Sequence, residues 1–222
     1  MKLKNKLLLD IAMLILLLFL MAYPVTNPLI HEILGIVTLI CFVVHHLLNR
    51  KWYQTLMKGK LSLIKKVYIF INFILLIDIL VIFLSGLTMS KLLPFLNFMS
   101  IGMARKAHMM ATYWGFILMA IHLGLHLQIM LVKIKKYISK QSHVVASIIS
   151  FIPVLLVIYG IIMFIKNQWI TYLFLLREFI FVDPSIGLMQ MLIETLAVFI
   201  LFATLSYLVI KTFIKKIKRR LK

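Results

Sequence analysis

Three histidines, His108, His122 and His126, interrupt the otherwise apolar stretch HMMATYWGFILMAIHLGLH. An ionisable side chain inside a membrane segment is costly, so its presence there indicates a functional site. Neutral imidazole is the commonest metal ligand among side chains and a frequent axial ligand of haem iron. These residues therefore indicate metal or haem binding at membrane depth.

A second apolar stretch carries histidines at the same spacing. His31 and His45 are 14 residues apart, as are His108 and His122. Fourteen residues make about four helical turns and a rise of about 21 Å, so each pair shares a helix face. In parallel helices this spacing predicts two levels, an outer level of His31 with His108 and an inner level of His45 with His122.

Composition places these histidines in a membrane protein. Hydrophobic residues make up 64% of the 222 residues and charged residues 14%, and the mean hydropathy is +1.08. A soluble domain of this size could not bury so much apolar surface. The net charge of +19 does not indicate nucleic-acid binding, because the basic residues form short clusters between apolar stretches.

Six apolar stretches are long enough to cross a bilayer as helices: residues 7–23, 30–48, 67–89, 108–132, 144–165 and 187–210. Of the 25 Lys and Arg residues, 20 lie at the N-terminus, in loops 49–66 and 132–143, and in the tail 211–222. The positive-inside rule then places both termini in the cytoplasm. We expect a multi-pass protein of the cell membrane, in contact with lipid.

The expected fold is all-α, with six transmembrane helices. Residues 1–132 are predicted to form a four-helix bundle that binds two haems, and residues 133–222 to add two helices and a basic tail. An offset of 77 residues relates both histidine pairs, which indicates a repeated two-helix hairpin. Residues 167–182 are expected to form an interfacial or re-entrant segment, with Trp169 and Tyr172 at headgroup level.

Other residues complete the predicted haem sites. Gly35 and Gly115 are small enough to let a flat macrocycle approach the backbone. Arg105 and Arg50, beyond the outer and inner pairs, could neutralise haem propionates. At the inner level His46 is an alternative to His45, and His126 is an alternative to His122.

Three stretches carry a resemblance: HEILG, HHLLNRKWY and ARKAHMMATYWGFILMAIHLGLH. Over about residues 7–132 the chain resembles respiratory cytochrome b. It is more similar still to small bacterial di-haem b-type membrane cytochromes, a domain-of-unknown-function family linked to flavin-dependent extracytoplasmic electron transfer. The resemblance implies the ligands His31, His45, His108 and His122. The Pro-Glu-Trp-type loop of quinol-oxidising cytochrome b is missing, so that quinol chemistry is not transferred.

The sequence thus predicts a transmembrane electron-transfer subunit of an oxidoreductase system, with two haem b groups and a quinone as a further candidate cofactor. Electrons would pass from quinol or a cytoplasmic donor to an extracytoplasmic acceptor of the flavoprotein type, so the expected partners are the quinone pool and separate redox proteins. The main alternative is a metal-ion or haem transporter that uses the same histidines. Such ion sites normally add carboxylates or thiolates, and only Glu32 adjoins a histidine. A third alternative is a non-catalytic membrane anchor for a soluble subunit.

Overall fold

The structure is a computed structural model that describes residues 3–56, 62–138, 143–180, 183 and 185–220. Within these ranges it contains helices and no strand, so the predicted all-α fold is confirmed. The helices are α1 (Leu3–Met21), α2 (Pro28–Leu48), α3 (Arg50–Thr55), α4 (Leu63–Thr88), α5 (Ile101–Ile138), α6 (His143–Lys166), α7 (Trp169–Leu173) and α8 (Leu188–Arg220). A short 3-10 helix, Tyr23–Val25, connects α1 to α2.

Four helices contain segments long and apolar enough to cross a membrane. These segments are Pro28–Leu48, Leu63–Thr88, Ile101–Leu127 and Leu188–Lys215. A helix hydrogen-bonds its own backbone and can therefore lie in hydrocarbon. The two other predicted spans coincide with α1 and α6, and their crossing of the bilayer stays a prediction.

Local sequence signals fix both ends of α2. The side chain of Asn27 accepts a hydrogen bond from the N–H of Leu29, and Pro28 occupies the first turn, where a missing N–H costs nothing. At the other end the amine of Lys6 in α1 donates to the carbonyl of Leu48 at 2.6 Å. This contact ties the two helices of the first hairpin together.

Helix α5 lies at the centre of the molecule, between α4 and α8, and α6 packs on the other side of α8. Two glycines allow these close approaches. A Cβ on Gly124 of α5 would meet the backbone of Ala203 in α8, and one on Gly160 of α6 would meet the carbonyl carbon of Ala197 at 2.8 Å. Small residues at such contacts are the usual means of packing helices in lipid.

One hydrophobic core joins the two predicted parts of the chain. Phe116 of α5 and Val198 of α8 are fully buried in it, together with Phe199 and Trp169. Met21 of α1 belongs to the same cluster. Residues on both sides of the predicted boundary at residue 132 thus contribute to this cluster.

Helix α2 is more loosely packed than α5. It lies mainly against α1, with a smaller contact to α4. Only 6% of the apolar stretch of α2 is buried inside the protein, against 44% of that of α5. The Glu32 carboxylate anchors its start by accepting hydrogen bonds from the N–H of Leu92 at 2.7 Å and from the hydroxyl of Ser90. Much of the helix surface remains open beside its neighbours.

The predicted interfacial segment folds back into the protein. Trp169 and Tyr172 in α7 are each only 3% exposed, and both rings pack against Tyr113 of α5, with centroids 5.0 and 4.8 Å away. Trp114 fixes the end of α7 by donating its indole N–H to the carbonyl of Leu173 at 2.8 Å. These aromatic rings are buried because α5 offers an aromatic face that covers them, and their position at headgroup level stays a prediction.

Candidate functional site

The structure brings His31 and His108 together at the outer level. Their ring centroids are 6.2 Å apart and their planes are inclined by 81°. Tyr23 packs edge-on against His31, with a centroid distance of 4.9 Å. The contact between His31 and His108 brings the start of α2 beside α5.

Helix α4 orients the ring of His108. The Nδ1 atom lies 3.1 Å from the carbonyl oxygen of Ile82 and 3.2 Å from Oγ of Ser85. A carbonyl oxygen only accepts, so Nδ1 carries the proton and Nε2 keeps its lone pair. A second partner of this kind is the usual support of a metal-binding histidine.

The predicted inner ligands also have acceptors for their Nδ1 atoms. Nδ1 of His122 donates to the side-chain oxygen of Asn72 in α4 at 2.8 Å. Nδ1 of His45 donates to Oδ1 of Asp10 in α1, also at 2.8 Å. In each ring Nε2 is the nitrogen that could bind a metal, and at His45 the side-chain amide of Asn49 lies 3.4 Å from it. The histidine ring that packs against His122 is that of His126.

The two alternative inner ligands have other neighbours. His46 makes a short hydrogen bond to the hydroxyl of Tyr53 and packs against Phe42, with centroids 4.2 Å apart. His126 is exposed and packs against the rings of His122 and Tyr68, at 5.0 and 5.2 Å. The structure thus places both alternatives beside the predicted pair.

Three polar atoms around these levels are buried without a hydrogen-bond partner: Nδ1 of His31, Oγ1 of Thr112 and Oδ2 of Asp78. Thr112 is one turn beyond His108 on α5, and Asp78 lies over Gly115, midway between His108 and His122. Buried polar groups without a partner are rare in folded proteins and commonly mark a site for water, an ion or a ligand. The polar atoms cluster where the sequence predicts a cofactor.

At Gly115 the structure differs from the prediction. A Cβ there would meet the Asp78 carboxylate and lie 2.9 Å from Cδ1 of Ile82, so α4 fills the space that was predicted for a macrocycle. Gly35 has nothing within 4 Å of a Cβ position, and its role in a haem site stays a prediction. Arg105 and Arg50 are exposed near the ends of their helices.

Hydrogen bonds explain how a second carboxylate, that of Glu194, can be buried in the protein. Glu194 in α8 is 3% exposed, and its two oxygens accept hydrogen bonds from the side-chain amides of Asn167 at 2.8 Å and Gln190 at 2.9 Å. These donors compensate the burial of its polar atoms. Asp78 has no such compensation at Oδ2.

The donor set fits haem at the outer level. Two imidazoles joined to one metal by bonds of about 2 Å have ring centroids about 6 Å apart, close to the 6.2 Å between His31 and His108. Haem iron takes only its two axial ligands from the protein. Among the described residues no group of three or more His, Cys, Asp and Glu side chains forms an ion site.

Sequence reasoning missed the residues that orient the ligands, above all Asp10 and Asn72. Each is a polar residue in the helix that precedes a ligand helix. Their separations from His45 and His122 are 35 and 50 residues, which have no common period. The sequence marks Asp10 and Asn72 only as single polar positions in otherwise apolar helices.

No protein-family model matches the chain, and no curated protein or solved structure matches it either. The class of protein follows from the chain itself. Four helices with apolar segments of membrane-spanning length define a membrane-spanning helical protein.

Proposed function

We propose that the protein carries electrons across the cell membrane as a di-haem b-type cytochrome. His31 and His108 would hold the outer haem, and His45 and His122 the inner haem. The observation that carries this proposal is the outer pair, in which two rings from different helices face one another with centroids 6.2 Å apart.

The protonation pattern supports ligation by these histidines. The side-chain amide of Asn49 lies 3.4 Å from Nε2 of His45 and would have to move aside for a metal. Asp10, Asn72 and Ile82 each accept the Nδ1 proton of one ring, so in each neutral imidazole Nε2 keeps its lone pair. Such acceptors also raise the basicity of the ligand and fix the ring orientation. The helices therefore present preformed ligands, so less ordering is needed when a cofactor binds.

The loose packing of α2 provides space for a flat cofactor. Few contacts other than those of the histidines link α2 to α4 and α5 among the described residues, and Gly35 is open on its face. Thr112 and Asp78 would supply polar contacts from α5 and α4. The exposed guanidinium groups of Arg105 and Arg50 would pair with the propionates.

When bound, each haem supplies a one-electron carrier, and the chain holds the two carriers at different depths. The two histidine levels are separated by about 21 Å of helical rise, which is most of the thickness of a hydrocarbon core of about 30 Å. If six transmembrane helices cross the membrane with both termini in the cytoplasm, His31 and His108 would lie on the outer side. We propose quinol or a cytoplasmic redox protein as donor and an extracytoplasmic flavoprotein as acceptor.

Alanine variants of the outer pair test the proposal. His31→Ala and His108→Ala should each lower the haem content of the purified protein from two to one, and the double variant should also retain one. All three variants should lose the same haem because both side chains would ligate one iron, and effects within one site are not additive. Two haems in either variant would contradict the assignment. A protein that binds only free divalent cations would favour the transporter.

A further inference from the structure

The helices that precede the two ligand helices support them at matching positions. Asp10 of α1 accepts the Nδ1 proton of His45, and Asn72 of α4 accepts that of His122, both at 2.8 Å. Asn72 follows Asp10 by 62 residues. The two residues thus have the same task in the two hairpins.

The same offset appears at the outer level. Ile82 of α4 presents its carbonyl to Nδ1 of His108. The carbonyl of Leu20 in α1 lies beside the ring of His31, but Nδ1 of His31 has no hydrogen-bond partner. Ile82 follows Leu20 by 62 residues. The ligands themselves are offset by 77 residues, because the second hairpin has longer helix ends and a longer connection. Asp10 and Asn72 therefore occupy equivalent positions in the two hairpins, whereas at the outer level only His108 has a hydrogen-bonded Nδ1.

The two halves differ at one supporting position. Asp10 is a carboxylic acid side chain where the second hairpin has the neutral amide of Asn72. A hydrogen bond to an ionised acceptor is shorter and about twice as strong as one between neutral groups. It moves more electron density onto the imidazole and hence onto a bound metal. At the outer level the partners of Nδ1 of His108 are the neutral carbonyl of Ile82 and the hydroxyl of Ser85, and Nδ1 of His31 has none.

We propose that Asp10 is a positioning residue that orients His45 and lowers the reduction potential of the inner haem relative to the outer haem. This inference rests on the proposed function. Hydrogen bonding to an axial ligand is one of the means by which a protein sets a haem potential. Electron donation from the ligand stabilises ferric iron more than ferrous iron, which lowers the potential.

The test is a redox titration of the purified holoprotein and of Asp10→Asn, followed by optical spectroscopy. The variant should keep two haems, with the midpoint potential of one haem raised and that of the other unchanged. The low-spin ferric electron paramagnetic resonance signal of the same haem should shift. The matched control is Asp183→Asn, which removes an exposed carboxylate from the segment between α7 and α8 and should change neither potential. Two unchanged potentials in Asp10→Asn would overturn the inference.

A second variant covers the case in which Asp10→Asn loses haem. Asp10→Glu keeps the carboxylate, so it should retain two haems and a low potential at one of them. Selective loss of one haem in Asp10→Asn together with retention in Asp10→Glu supports the inference, whereas equal loss in both variants overturns it. If the unmodified protein binds no haem, the proposed function fails. If it binds two haems whose midpoint potentials are unchanged in Asp10→Asn, the inference alone fails.

Discussion

His31 and His108 face one another across helices that otherwise pack on different neighbours, with ring centroids 6.2 Å apart. Helix α2 lies mainly on α1, and α5 lies between α4 and α8. The imidazole pair is thus a meeting point of two hairpins. Two polar rings in such a position would be costly at membrane depth without a function to retain them.

The choice of inner ligand can be tested with His45→Ala and His46→Ala. We expect His45→Ala to retain one haem and His46→Ala to retain two, because His45 is oriented by Asp10 and His46 by Tyr53. Haem per chain, measured as the pyridine haemochrome, distinguishes the variants. The opposite result would assign the ligand to His46.

Removal of the Asn72 side chain should weaken the inner site. Asn72→Ala leaves Nδ1 of His122 without its partner, and loss of such a supporting group typically lowers metal affinity about 10–100-fold. Titration of haem into the apoprotein in detergent measures the effect. Asn167→Ala is the control, since Asn167 donates to Glu194 and contacts neither histidine level through that bond. Equal affinity in both variants would show that Asn72 gives no support.

Two glycine variants should separate close packing from open space. Gly124→Ala would bring a Cβ against the backbone of Ala203 and should lower the free energy of unfolding by about 1–3 kcal/mol. Gly35→Ala meets nothing within 4 Å and should leave the apoprotein as stable or more stable by up to about 1 kcal/mol. Thermal unfolding in one detergent provides the comparison. A destabilised Gly35→Ala apoprotein would mean that other residues pack closely against α2 at Gly35.

Cysteine labelling tests the orientation. In a Cys41→Ser background, Lys91→Cys in the loop after α4 should react with a membrane-impermeant thiol reagent in intact cells. Lys51→Cys, at the opposite end of α2, should react only after permeabilisation. Both positions are exposed. Reaction of Lys51→Cys in intact cells would reverse the proposed topology.

Much of the helical layout could be predicted because it depends on local properties. Apolar length marks the six helical stretches, and a spacing of 14 residues places His31 and His45 on one face. The partners of these rings depend on how α1 and α4 rotate about their axes, and hydropathy does not report that rotation. Asp10 was therefore missed as a ligand support, and the space above Gly115 was assigned to a cofactor although Asp78 fills it.

The segment that contains Trp169 also shows that composition alone does not predict tertiary contacts. Its aromatic residues are typical of a membrane interface, yet the stacking of Tyr172 on Tyr113 draws the segment into the core. The composition of a short segment is the same in both environments. Only the complementary face on α5 decides between them.

The most direct test of the central claim is a dithionite-reduced minus oxidised absorption spectrum of the purified protein, combined with pyridine haemochrome quantitation. The protein should be expressed with added haem precursor. Two low-spin b-type haems per chain are expected, one for each pair of histidines. A purified, folded protein with no haem spectrum would contradict the claim.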